Sequence, residues 1–389
     1  MFRDEIQSEL ENHIIPFWND LCDNERGGFY GEMDSVGLKV NKDAPKGVIL
    51  HSRILWFYSN CYLTLKRRDC LEKAKHCFEF LSKHCVDREN GGVYWMMNAD
   101  GTVNDPMKHT YCQAFFIYAM SSYYDASGDR AALDLAMEVF DTVETKCVDD
   151  VAYLEAQSID FKPVPNDALS ENGLMADKTM NTVLHLIEAY TELYRVSHDQ
   201  KVLERLKFQL NLTYDKIYDK ENSKLLVFFN KNMEVIGDIH SYGHDIEATW
   251  LLDRACDMIK DKAITEKISA MNKAIVANIA SIAFQNGALN NERDKTEINK
   301  TRIWWVQAEG IVGFYNGWQR YGDKMYKLIA EALWLYVKNN IVDPREGGEW
   351  YSEVSEQGEF NKSKNEVDPW KCPYHNGRMC MEIIKRAEL

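Results

Sequence analysis

Three short stretches of this chain are variants of one another: Asp23-Asn24-Glu25-Arg26-Gly27-Gly28-Phe29-Tyr30, Asp87-Arg88-Glu89-Asn90-Gly91-Gly92-Val93-Tyr94-Trp95 and Asp343-Pro344-Arg345-Glu346-Gly347-Gly348-Glu349-Trp350-Tyr351. Gly27 to Gly91 is a step of 64 residues, and Gly27 to Gly347 is 320, five such steps. Three degenerate copies fall where that spacing requires them, at 149–155, 218–228 and 284–290. Six repeats of about 64 residues fill the chain, whose 389 residues would otherwise suggest two domains.

Each Gly-Gly pair sits among polar turn formers and is followed by two to four β-favouring residues, which reads as a tight turn with a short extended stub. Helices occupy the rest of each repeat. Residues 71–85 alternate charge with Ala74, Phe78 and Leu81 at helical spacing, the pattern of an amphipathic outer helix. Residues 48–65, 110–124, 180–194, 246–258 and 306–321 are instead apolar or aromatic around most of their circumference, as buried inner helices are. Two helices per repeat, no low-complexity tract and only eight prolines predict an all-α (α/α)6 barrel, a toroid of six helical hairpins forming one domain over 1–389. An open solenoid of the same units would need polar capping repeats.

The 46 basic and 61 acidic residues leave a net charge of −15, which argues against nucleic acid or an anionic membrane as partner. Acids stand at Asp4 and Glu5, where a secretory signal would be basic and then apolar, and no run of about 18 uncharged apolar residues occurs. A cytoplasmic protein is expected, a monomer with a dimer as the alternative. The ten cysteines form no C-x-x-C pair and no zinc spacing, so they read as small core residues.

Polar, catalysis-competent side chains crowd the start of each inner helix: His51 and Arg53; His109 and Tyr111; Asn181 and His185; His244 and Glu247; Trp304, Trp305 and Glu309; His375 and Arg378. Asn181/His185 and Trp305/Glu309 are four apart, and His244/Glu247 and His375/Arg378 three apart, so the members of each pair share a helix face. Charges on helices this apolar are costly without a partner or a ligand. Six sets distant in the chain are therefore expected to converge on one mouth of the ring. Of the adjacent Trp304 and Trp305, one should face the core and the other the cavity. Trp370 stands alone on a loop stiffened by Pro369 and Pro373, where it can offer a flat face to a sugar ring.

The stretches Gly47–Trp56, His240–Trp250, Trp304–Glu309 and Trp370–Arg378 closely resemble the cellobiose 2-epimerases and, more distantly, the N-acylglucosamine 2-epimerases, which share the toroid. The likeness covers essentially the whole chain. It implies that His244 and His375 are an acid/base pair acting on opposite faces of C2 of a reducing-end sugar, assisted by His185. It further implies that Arg53, Tyr111, Asn181, Glu247, Trp250, Trp304, Trp305, Glu309 and Arg378 surround the substrate, with Trp370 stacking on a ring.

The chemistry agrees with the residue types. A C2 proton is acidic only beside a C1 aldehyde, so the sugar ring must open first, and inversion through an enediolate needs one group on each face. Histidine, titrating near neutrality, serves as either. Arg53, with Asn181 or His185, is the candidate donor set for charge developing on O1. Glu247, one turn from His244, is expected to orient that imidazole or to touch substrate. No metal-ligand spacing, phosphate loop or dinucleotide fingerprint is present, so no cofactor and no metal is expected. The expected partner is a small disaccharide: cellobiose, a related β-1,4-linked sugar or lactose. The alternatives are an epimerase of N-acylglucosamine or monosaccharides, a glycoside hydrolase using Glu247 and Glu309, and a non-enzymatic helical scaffold.

Overall fold

A computed structural model describes residues 2–166 and 174–387. Residues 1, 167–173, 388 and 389 of the expected 1–389 domain lie outside the described residues. Twelve helices make up most of the described chain. The first, α1, runs through Phe2–Glu9, a π-helical turn at Leu10–Ile14 and Ile15–Asp20. It is followed by α2 (Val48–Leu65), α3 (Arg68–Phe80), α4 (Thr110–Ser127), α5 (Arg130–Lys146), α6 (Met180–Ser197), α7 (Gln200–Leu212), α8 (Tyr242–Ile259), α9 (Lys262–Ile282), α10 (Trp304–Tyr321), α11 (Lys324–Asn340) and α12 (Tyr374–Arg386).

Even-numbered helices form the inner ring. Each packs on the next, and α12 packs back on α2, which closes the circle. The odd-numbered helices lie outside, with α1 against α12, so the two ends of the chain complete one hairpin. The (α/α)6 barrel expected from the glycine arithmetic is the fold.

Composition explains which helix goes where. Every residue of α2 from Val48 to Cys61 is buried, whereas α3 buries Cys70, Ala74, Cys77, Phe78 and Phe80 and exposes its charges. The first five inner helices are each 18 residues long and end on a left-handed residue, Lys66, Gly128, His198, Lys260 or Gly322. Helix α8 begins four residues before the apolar run that announced it, so the whole His240–His244 stretch lies at its N-terminus. Outer helices α5, α7, α9 and α11 start on Asp129, Asp199, Asp261 and Asp323, whose carboxylates accept first-turn amide N–H groups.

The Gly-Gly elements are hairpins that join each outer helix to the strand before the next inner one. Antiparallel bridges at Cys22/Phe29, Val86/Val93, Val148/Tyr153, Tyr218/Leu225, Phe284/Leu289 and Val342/Trp350 repeat the turn in all six units. Gly28 and Gly92 have φ of +69°, and a Cβ on Gly28 would lie 2.7 Å from Nε2 of His51, so both backbone and space demand glycine there.

Beneath these turns lies a tie that the sequence reading did not anticipate. Just before the inner helix, Lys46, Lys108 and Lys371 bury their ammonium groups against Asp23 (2.8 Å), Asp87 (2.8 Å) and Glu349 (2.5 Å) of the hairpins. Both members of each pair are at most 1% exposed. Deleting one member strands a buried charge, so Lys108→Ala is expected to cost about 3–5 kcal/mol. Lys162, on the surface beside Asp160, should be silent when replaced by Ala. Urea unfolding of the two variants side by side checks the contrast.

Candidate active site

Four inner helices send charged side chains to a common point inside the ring. The guanidinium of Arg378 (α12) donates to Glu188 (α6), Glu247 (α8) and Glu309 (α10), the last at 2.7 Å. It also lies over the rings of Tyr374, at 4.3 Å, and Trp250, at 4.8 Å. All four charged groups are buried. The Tyr374 hydroxyl donates to Glu188 at 2.5 Å, and the indole N–H of Trp250 to Glu309 at 3.0 Å.

One guanidinium cannot neutralise three carboxylates, and the bonding pattern shows how the excess is handled. Burial pushes Glu188 upward, but Arg378 and the bonds from His185 and Tyr374 outweigh it and hold it at about 2. Burial, reinforced by the neighbouring Glu309, raises Glu247 to about 8. Glu309 accepts N–H groups on both oxygens, from His375 and Arg378 on one and from Trp250 on the other, whereas Oε2 of Glu247 accepts none. Burial raises Glu309 as well, so the pair holds a proton more firmly than two free carboxyls would, and the unbonded Oε2 of Glu247 is the open place for it.

Three imidazoles stand over this floor. Nδ1 of His375 is 2.7 Å from Glu309, Nδ1 of His185 is 2.9 Å from Glu188, and Nδ1 of His244 is 2.7 Å from the Ser241 hydroxyl. In each case Nε2 has no protein partner among the described residues and is left for a ligand. Burial lowers all three: His244 falls to about 3, helped by His185, His375 falls well below its ordinary value, helped by Arg378 and Arg53, and His185 is lowered despite Glu188. All three are neutral near pH 7 and able to accept a proton.

Trp305 separates the two outer members of the trio, its ring 4.8 Å from His244 and 5.5 Å from His375. Gly243 allows that approach, since a Cβ there would come within 2.6 Å of the indole. Trp304 is buried edge-on to His375, so the neighbouring tryptophans divide between core and cavity as expected. Arg53 donates to the Tyr111 hydroxyl at 2.7 Å and to the carbonyl of Trp370 at 3.3 Å, and it lies 4.3 Å over Phe115. The Trp370 loop is tied by Asp368, which accepts the amides of Trp370 and Lys371. Its indole, 38% exposed, stands 6.0 Å from Tyr111 and 5.9 Å from Trp95. Asn181 lies one turn before His185 with a buried, unpaired Oδ1.

Two histidines do not join this group. His51 points outward, its Nδ1 donating to the Gly47 carbonyl and its Nε2 accepting the Phe29 amide at 3.0 Å. His109 packs against Trp95 and bonds Asn166. Glu247 also departs from its expected role, because Arg378 draws its carboxyl down to the floor while Ser241 takes Nδ1 of His244. Glu247, Trp250, Glu309 and Arg378 thus lie beneath the histidines and support them. Glu188 and Ser241 were not anticipated, although each stands three residues from its histidine, the same spacing that flagged Glu247.

Ligand atoms of Glu247, Glu309 and His375 lie within 4.8 Å of one another, a cluster not visible in the sequence spacing. The guanidinium of Arg378, bonded to both carboxyls, places a fixed cation at that spot.

The sequence profile of the N-acylglucosamine 2-epimerase (GlcNAc 2-epimerase) family matches residues 28–377. The chain belongs to that family. As an epimerase it is 56% identical over 387 residues to the cellobiose 2-epimerase of Ruminococcus albus, covering 100% of this chain and 99% of that one. It is 43% identical to the cellobiose 2-epimerase of Dictyoglomus turgidum, over 99% of each chain. Among solved structures, a sugar epimerase from a ruminal bacterium superposes with a TM-score of 0.98 at 55% identity, over 99% of both chains.

The proton on Glu247 has a consequence for stability. A carboxyl that titrates near 4.5 when unfolded and near 8 when folded binds an extra proton in the folded state between those values, so it lowers stability as pH rises through that window. Glu247→Gln, fixed in the neutral state, should flatten the decline. Urea unfolding of both proteins at pH 5, 6.5 and 8 measures it, and parallel curves would place the proton elsewhere.

Proposed function

We propose that this epimerase reversibly inverts C2 of the reducing-end glucose of cellobiose and related β-1,4-linked sugars, lactose included, to give the mannose epimer. The observation that carries the reading is the pair of imidazoles on α8 and α12, flanking Trp305, each held at Nδ1 and with no protein partner at Nε2 among the described residues. Relatives of 56% and 43% identity over the full length are cellobiose 2-epimerases, which supports the substrate class.

In the proposed reaction His375 assists ring opening, moving the O1 hydroxyl proton toward O5 and exposing the C1 aldehyde. One histidine then takes the C2 proton on Nε2, and the electron pair of the C–H bond passes into an enediolate. The other, having taken up a proton from water to become an imidazolium, returns its Nε2 proton to the opposite face of C2 and is left neutral. The protons balance, since the first imidazole gains what the second loses, and no redox change occurs. Arg53 with Asn181 or His185 stabilises the charge on O1, and Trp370 stacks on a sugar ring. The unpaired Oδ1 of Asn181 and Nε of Arg53 are buried polar atoms that a sugar hydroxyl would satisfy. We read the chain as a single catalytic domain, working as a monomer in the cytoplasm without cofactor. No helix among the described residues is long and apolar enough to cross a membrane.

Incubation with cellobiose in D2O, without added cofactor, should yield 4-O-β-glucosylmannose carrying deuterium at C2. His244→Ala and His375→Ala should each lower epimerisation by at least the 10²–10⁴-fold typical of a general acid–base group, roughly speaking. Normal C2 exchange in both variants would overturn the assignment. Glucose release would indicate a hydrolase, and turnover of N-acetylglucosamine in preference to cellobiose would move the substrate to the monosaccharide class.

A further inference from the structure

The three histidines of the site are supported from behind by different chemistry. His185 and His375 rest on carboxylates, Glu188 and Glu309, whereas His244 rests on the hydroxyl of Ser241, 2.7 Å from its Nδ1. Ser241 occupies the N-cap of α8 with extended backbone, the position from which a serine normally accepts a first-turn amide, yet its side chain makes no capping bond. The hydroxyl is turned onto the imidazole instead. Outer-helix N-caps Asp129, Asp199, Asp261 and Asp323 all make the bond that Ser241 forgoes.

We propose that Ser241 is a positioning residue that lets His244 change tautomer during the reaction. An ionised carboxylate only accepts, so Glu309 keeps the proton of neutral His375 on Nδ1 and leaves a lone pair on Nε2. A hydroxyl both accepts and donates. When Nδ1–H donates to Ser241, Nε2 of His244 is a base. When the Ser241 hydroxyl donates to Nδ1, Nε2 carries the hydrogen. Neutral His244 can therefore offer Nε2 either as a base toward the C2 hydrogen or as a hydrogen-bond donor to a sugar oxygen without the ring turning, the tautomers interchanging by proton exchange with water, while neutral His375 offers only a base; whichever histidine returns a proton to C2 does so as an imidazolium. No covalent bond to Ser241 forms or breaks. The inference rests on the C2 epimerisation proposed above, and the experiment separates the two.

The wild type, Ser241→Ala and Ser241→Thr are compared by kcat and KM for cellobiose, by pH–rate profile, by thermal midpoint and by ¹⁵N chemical shifts of the histidine rings. Ser241→Ala should lose on the order of tenfold in kcat, part of the general acid–base contribution, with KM within about twofold and a changed pH–rate profile. Its thermal midpoint should fall by no more than the few degrees that one lost buried hydrogen bond costs, because no capping bond is lost with it. Ser241→Thr, which keeps the hydroxyl, should recover kcat. In the wild type the ¹⁵N shifts of His244 should report both neutral tautomers and those of His375 only the Nδ1–H form. A wild-type kcat in Ser241→Ala, a Thr variant as slow as Ala, a loss of kcat matched by a midpoint lowered beyond those few degrees, or a single His244 tautomer would each overturn the proposal. If the wild type leaves cellobiose unchanged but shows the two His244 tautomers, the substrate reading fails and the assignment of Ser241 stands.

Discussion

Arg378 is the point on which the site depends. Glu188, Glu247 and Glu309 come from three different inner helices, and none has another full cation in contact among the described residues. Burying even one carboxylate without a counter-charge is prohibitive. The guanidinium is planar, permanently charged and able to donate in several directions at once, which a lysine ammonium at the same place could not match. It binds α6, α8, α10 and α12 into one arc, four of the six inner helices, by the interaction that also makes the buried carboxylates available to the histidines.

Two of those carboxylates then act a second time. Glu188 and Glu309 each accept from Arg378 with one edge and hold an imidazole Nδ1 with an oxygen. Burial most of all, and after it the positive charge of Arg378, opposes protonation of His375, and the carboxylate behind the ring orients it without charging it. Burial does the rest. The result is a set of bases kept neutral within a heavily charged site, the condition for moving a carbon-bound proton near neutral pH. A floor with less negative charge would leave the rings unoriented, and one without the arginine would lose the charge that adds to burial in keeping His185 and His375 neutral.

The architecture was legible in the sequence because glycine at φ near +85° is costly to replace, so Gly27 and Gly91 preserve the repeat after the helices have diverged. The inner helices were legible as runs apolar on every side. Rotation of each helix was harder to read. His51 and Arg53 stand two residues apart, about 200° around a helix of 3.6 residues per turn, and cannot both face the axis. The same separation divides His109 from Tyr111. That angle identifies one member of each pair as outward-facing but does not say which. Contacts between repeats, such as those of Arg378 with Glu188 and of Trp250 with Glu309, have no local signature at all, because residues far apart in the chain meet only when the ring closes.

The outward side of each inner helix resolves the choice. His51, Gln113, Asp245 and Gln307 each accept the amide of a hairpin residue, respectively Phe29, Val93, Leu225 and Leu289. Thr182 and Asn376 make the corresponding tie to the carboxylates Glu155 and Glu349. The side chains differ because the place asks only for a hydrogen-bonding group of suitable reach, which is why no shared motif marks it. Every one of these clamps lies within two residues of a side chain of the site: Arg53, Tyr111, Asn181, His244, Trp305 or His375. A clamp on one side fixes the rotation of its helix, and rotation decides what the other side presents to the cavity. The repeated hairpins thus do more than connect helices. By holding each inner helix at one angle, they aim six unrelated residues at a single space inside the ring, and the chemistry of those residues is free to vary so long as the clamp behind them does not turn.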